Sequence, residues 1–141
     1  MTAPLLTVTN LEVRYGDLDP QWHVNNARYL SFLEQARMSY LVQLGLWDGQ
    51  DFKRLGLIVA DIHISYLAPM LIFHKYRLDQ RVARLGNKSL IFEYQLVDEA
   101  SGERMAVAEA VMVAYDYDSH SSIPVPDAWR RKISEFEGLG A

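Results

Sequence analysis

Over residues 27–44 the apolar positions Tyr29, Leu30, Phe32, Leu33, Ala36, Tyr40, Leu41 and Leu44 recur at spacings of three, four and seven, the period of an α-helix. They fill nearly half the helical wheel, and Arg28, Ser31, Glu34, Gln35 and Ser39 collect on the remainder. The pattern predicts a long helix cradled by a broad apolar partner, with Asn25 or Asn26 as N-cap and Gly45 as its stop. Upstream, residues 5–15 are rich in Thr, Val and Leu and predict a strand, closed by Gly16 and the turn residues from Asp17 to Pro20. Downstream of Gly56 the period changes to two. Ile58, Ala60, Ile62, Ile64 and Tyr66 alternate with Val59, Asp61, His63 and Ser65, which predicts a strand with one apolar and one mostly polar face, ended by Pro69.

Residues 74–85 alternate again, Tyr76, Leu78 and Val82 against Lys75, Arg77, Asp79 and Arg81, before a turn at Gly86 and Asn87. Leu90, Phe92, Tyr94 and Leu96 mark a further strand, and a last one spans 104–116. That last strand carries Ala106, Ala108, Ala110, Met112 and Ala114 on one face and Val107, Val111, Val113 and Tyr115 on the other, so both faces ask for cover. A short helix over 129–136 follows Pro126. Four consecutive strands with tight connections pair antiparallel, which gives an α+β chain with one sheet wrapped around one helix. A partner subunit is the economical cover for the second face of the last strand.

Composition narrows the chemistry. The chain has 141 residues with no linker or repeat and is expected to form one domain over 1–141. With no cysteine, disulfides, thiolate metal sites and thiol nucleophiles are excluded, so catalysis must come from oxygen and nitrogen groups. The net charge of −4 argues against a nucleic-acid partner. The N-terminal residues lack a basic signal region and no apolar run approaches the roughly 20 residues of a membrane span, so a cytoplasmic protein without a membrane partner is expected.

The densest polar stretch is 14–26, between the first strand and the long helix, where Asp17, Asp19, His23, Asn25 and Asn26 converge. A helix N-terminus offers unpaired N–H groups and the positive end of its dipole, which favour developing negative charge. A thioester carbonyl set there would be polarised, while a facing carboxylate attacks its carbon or takes a proton from water. Asp19 is the better placed acid, because Pro20 biases it toward an extended conformation that points its side chain out of the turn toward a cleft; Asp17 supports the loop. An ordinary strand-to-helix turn prefers the same residue types, so on the residues alone a plain turn and an active site stand level, and for His23 packing or a loop-locking bond is favoured over proton transfer.

The stretch 14–41, an Asp-x-Asp turn, His23-Val24-Asn25-Asn26 and an aromatic-containing helix with Glu34 and Arg37, resembles the signature of the 4-hydroxybenzoyl-CoA thioesterase family of hotdog-fold acyl-CoA thioesterases. The resemblance implies the hotdog fold: a five-stranded antiparallel sheet around one long central helix, with a short C-terminal helix. It implies acyl-CoA thioester hydrolysis with Asp19 as catalytic nucleophile or general base, the amide of Asn26 polarising the carbonyl and His23 beside the aspartate. Asn25 is a candidate for substrate binding, and the aromatic Trp22, Tyr29 and Trp47 are candidates to line an acyl or aryl pocket, with core packing as the commoner use of such residues. The nucleotide end of coenzyme A would meet Lys88 near the Gly86–Ser89 turn, with Arg84 in support. No cofactor and no metal is implied, an acyl-carrier-protein substrate stays open beside acyl-CoA, and the assembly is a homodimer or homotetramer. The His-Val-Asn-Asn form leans toward fatty acyl chains, with an aryl group as the variant.

Other candidates are weaker. Glu34 reads as an intrahelical partner of Arg37 and Glu109 as an acid needing a buried partner. Trp47 reads as core; His63 and His74 lie on different strands without ligand spacing, and residues 118–122 hold triad letters as neighbours in a plain loop. A non-catalytic acyl-ligand binder and a hydratase or dehydratase of acyl thioesters are the competing functions.

Overall fold

The computed structural model describes residues 6–54 and 56–140. The expected strand start at Leu5 and the N-terminal residues before it lie outside them. Strands β1 (Leu6–Leu11), β2 (Leu57–Tyr66), β3 (Tyr76–Leu85), β4 (Ser89–Asp98) and β5 (Arg104–Asp116) form one antiparallel sheet in the order β1-β3-β4-β5-β2. A two-residue strand β6 (Ser121–Ser122) pairs with β5, inside the stretch expected to be a plain loop. The long helix α1 (Arg28–Gln43) lies against the sheet and α2 (Asp127–Glu137) closes the chain, so the hotdog arrangement is present.

The core forms where the two periods meet. Helix α1 buries Tyr29, Leu33, Ala36, Tyr40 and Leu41, and the inward positions of β4, Leu90, Phe92, Tyr94 and Leu96, are buried beneath it. Tyr40 meets Phe92 edge-on with ring centroids 5.3 Å apart. Each large apolar side chain removed from water contributes about 1.5–3 kcal/mol. Ala106, Ala110 and Ala114 of β5 are also buried, and side chains this small let a helix bearing two tyrosines lie close to the sheet.

Four local expectations change. Helix α1 starts one residue later, and its N-cap is Ala27, already helical at φ −68° and ψ −25°; Asn25 instead accepts the Ala27 N–H at 2.9 Å, capping the turn before the helix. A bulge between Val59 and Asp61 breaks the alternation of β2: before it Leu57 is buried while Ile58, Val59 and Ala60 are all exposed, and only beyond it do Ile62 and Ile64 of the expected apolar face pack against the core. The second face of β5 is half-buried at Val107, Val111 and Val113, and Glu109 on it is exposed opposite Glu93 and His63, so it needs no buried partner. Arg37 turns inward to Tyr94 rather than pairing with Glu34.

Helix α2 docks by Ile133, fully buried, and by Glu137. The Glu137 carboxylate accepts from the Tyr40 hydroxyl at 2.8 Å and from the Val82 N–H at 2.5 Å, tying α2 to both α1 and β3. Gly138 ends the helix at φ +69°, a left-handed value that favours glycine.

Candidate active site

Between β1 and α1 the chain makes a tight double-back. Leu18 and Val24 form an isolated antiparallel bridge, the Asp19 N–H donates to the His23 carbonyl at 2.8 Å, and the Trp22 N–H donates to the Asp19 carbonyl at 3.0 Å. The Asp17 carboxylate is buried beneath this loop, accepting the Arg14 N–H at 2.9 Å with the Arg28 guanidinium 3.9 Å away, and its carbonyl accepts the Asn25 N–H at 2.8 Å. Asp17 is therefore the loop's support. The Val24 N–H donates to the Met70 carbonyl, which anchors the turn on the segment after β2.

Asp19 does not swing clear of the turn as the following proline suggested. Its Oδ1 accepts the N–H groups of Gln21 at 2.8 Å and His23 at 3.3 Å, so the side chain folds over its own turn. The physical reason is that a short carboxylate two residues before free N–H groups gains charge-assisted bonds it would forgo by extending. Oδ2 has no partner among the described residues. His23 is half-buried beside it, its ring without a hydrogen bond among the described residues.

Asn26 lies between this turn and α1. Its carbonyl accepts the Tyr66 hydroxyl at 3.0 Å, and its own N–H has no acceptor among the described residues. Tyr29 sits next, buried, with its ring edge-on to Tyr66 at 4.8 Å. Burial pushes the Tyr29 hydroxyl above its ordinary pKa, against the lowering effect of a backbone bond from Met70. Tyr29, Leu33, Ile64, Leu96 and Ala106 line a narrow apolar crevice between α1 and the sheet. Trp22 stands apart: it is 63% exposed, left-handed at φ +64°, and meets the exposed Tyr15 edge-on. Trp47 is core, donating to the Asp51 carbonyl at 2.9 Å.

Lys88 and Arg84 lie at the other end of the molecule. Lys88 reaches Ser122 at 3.3 Å, and Arg84 lines a groove of about 690 Å³ together with Arg130 and Arg131 of α2. Arg130 also donates to the carbonyls of Gly86 and Asn87 at 2.8 and 3.3 Å, fixing the β3–β4 turn. This groove adjoins the C-terminal end of α1, where Lys132 bonds the Gly45 carbonyl. Sixteen helical residues separate it from the Asp19 turn, about 24 Å of rise. Nothing local in the sequence marked Arg130, Arg131 or Tyr66 as neighbours of the named residues, because each arrives from 40 or more positions away.

His74 bonds Asp98 at 3.1 Å and His63 lies on β2, and among the described residues no three His, Cys, Asp or Glu side chains gather as a metal site. None of the described helices is long and apolar enough to cross a membrane.

The profile of the family described as the thioesterase-like superfamily matches residues 13–133. The long-chain acyl-CoA thioesterase FadM of Escherichia coli is 28% identical over 128 residues, 91% of this chain and 97% of that one. The crystal structure of a Thermus thermophilus thioesterase complexed with coenzyme A and Zn superposes with a TM-score of 0.83 at 33% identity, covering 96% of each chain. A 1,4-dihydroxy-2-naphthoyl-CoA thioesterase from Synechocystis superposes at 0.82 with 18% identity, a likeness of fold alone.

Proposed function

The chain belongs to the thioesterase-like superfamily, and from that premise we propose that it hydrolyses fatty-acyl-CoA thioesters with Asp19 as the catalytic carboxylate. The observation that carries the reading is the division of labour at Asp19, in the loop that leads into α1: Oδ1 is held by two backbone N–H groups while Oδ2 has no partner among the described residues. The substrate carbonyl sits against the unused Asn26 N–H, which stabilises the oxyanion as it forms. Oδ2 either attacks the carbonyl carbon, giving a mixed anhydride and the thiolate before water opens the anhydride, or removes the proton of a water that attacks directly. His23 lies beside this carboxylate and Asn25 holds the turn by capping Ala27. The crevice from Tyr29 toward Ala106 is apolar but closed, so an alkyl chain enters it only as α1 and the sheet part.

Lys88, Arg84, Arg130 and Arg131 take the phosphates of the nucleotide end. Because they sit at the far end of α1 from Asp19, the groove of one copy serves the catalytic turn of another, and the working unit is a cytoplasmic homodimer. Its seam is the free edge of β2, the end strand of the sheet, where Ile58 and Val59 are exposed.

Asp19→Asn tests the role of the acid. The amide oxygen still accepts from Gln21 and His23, so the far-UV spectrum and melting temperature stay near wild type while release of thiol from acyl-CoA falls by about 10²–10⁴. A folded variant with near-normal turnover sinks the proposal. A panel of fatty and aryl thioesters, on CoA and on acyl carrier protein, orders the substrates, and crotonyl-CoA hydration distinguishes a hydratase.

A further inference from the structure

Arg37 is an anomaly in this core. It is 5% exposed, yet one bond, to the Tyr94 hydroxyl at 3.0 Å, is all that its guanidinium makes among the described residues, and no carboxylate there is in ion-pair reach. A guanidinium has five N–H donors, and a buried charge left without an anion is costly. Arg37 lines a cavity of about 180 Å³ between α1 and the sheet edge, with Met38, Leu57 and Val59. Glu34 lines the same cavity from one turn earlier on α1, and it too forms no ion pair with any described residue. The two open groups are near in sequence and share a cavity without meeting each other.

The cavity opens toward the free edge of the sheet. Val59 belongs to β2, whose side away from β5 carries no described strand. A second copy pairing antiparallel along that edge adds its own α1 on the same side of the joined sheet, running antiparallel to the first. The interface is isologous, so whatever residue i makes with j, j makes with i. Helix α1 runs from Arg28 to Gln43, with its midpoint between Gln35 and Ala36, and Glu34 and Arg37 stand at equal distances on either side of it. Two such helices crossing at their midpoints set Glu34 of each against Arg37 of the other.

We propose that Glu34 and Arg37 form two reciprocal ion pairs across the dimer seam, one copy's carboxylate closing the other copy's cavity. The inference rests on the homodimer reading and adds to it the residues that fix the register of the two helices. Charge-assisted bonds of a guanidinium to a carboxylate are strong and directional, which suits them to setting register.

Sedimentation of the full chain, with Glu34→Arg, Glu34→Gln and Arg37→Glu variants, tests it. The wild type is expected as a dimer of the 16.2 kDa chain. Glu34→Arg sets like charges together and weakens the dimer by about tenfold or more at low salt, with Glu34→Gln in between. Neither Glu34→Arg nor Arg37→Glu pairs well with itself, but mixed one to one they form heterodimers with both pairs restored, so native mass spectrometry shows far more than the statistical half as heterodimer. A pairing within one chain predicts no such preference. Should Arg37→Glu fail to fold by circular dichroism, the dimer constants of the two exposed Glu34 variants decide. A dimer indifferent to Glu34, or a statistical mixture, overturns the ion pairs and leaves the dimer standing; a monomeric wild type overturns both.

Discussion

Glu137 shows how one buried acid can be fixed and strained together. Burial pushes its carboxyl above the ordinary glutamate value of 4.5, while the Val82 N–H, the Tyr40 hydroxyl and the nearby Arg81 pull it down, and one of its oxygens is buried with no partner among the described residues. The folded state thus holds the proton more tightly than the unfolded chain. Its contribution to stability is full below the ordinary carboxylate range and is lost as pH rises through the raised folded value. Glu137→Gln, which keeps an acceptor for both donors, should flatten that part of the pH dependence of the melting temperature. Glu137→Ala strands the Tyr40 hydroxyl and the Val82 N–H, and urea unfolding should show a loss of about 1–3 kcal/mol. Asp19 is the contrasting case at this scale: the residues around it single it out as the candidate acid, but the folding of its Oδ1 onto the N–H groups of Gln21 and His23 was not legible, since that depends on dihedral angles the turn composition leaves free.

Helices and strands were legible wherever a period ran unbroken. The range 104–116 of β5 agrees to the residue, and α1 differs by one position at each end. The misreadings are local breaks in period. The β2 bulge leaves Ile58, Val59 and Ala60 all exposed with no glycine or proline at the bulge to announce it, because a bulge is set by the partner strand's register. Arg37 lies on the buried arc of α1 because Tyr94, 57 positions away, offers it a hydroxyl. The proposed phosphate groove draws on α2 through its arginines. Arg84→Gln combined with Arg131→Gln should raise KM for acyl-CoA by about five- to tenfold, with turnover of a truncated thioester lacking the nucleotide unchanged; equal losses on both substrates would remove the groove from phosphate binding.

For the whole molecule, the Asp19 turn and the arginine-lined groove lie at opposite ends of one 16-residue helix. If one copy's groove serves another's turn, two defective chains can repair each other. Asp19→Asn has an intact groove, and the Arg84→Gln, Arg131→Gln chain has an intact acid, so their heterodimer carries one complete site. A mixture refolded together should hydrolyse acyl-CoA at low substrate concentration well above the mean of the two variants alone; activity no higher than that mean refutes sharing between copies.

By itself the sequence determined the elements, the antiparallel run from β3 to β5 and the resemblance of the turn before α1 to a thioesterase turn, because these are written in local periodicity and in residues adjacent along the chain; that β2 pairs with β5 and not with β3 was not written there. Tertiary structure alone decided which oxygen of Asp19 stays open, which face of β2 looks inward, that Arg130 and Arg131 join Arg84, and that Arg37 and Glu34 are left facing an unfilled cavity. These depend on hydrogen bonds and packing between residues far apart in the chain, and a one-dimensional pattern does not contain those distances.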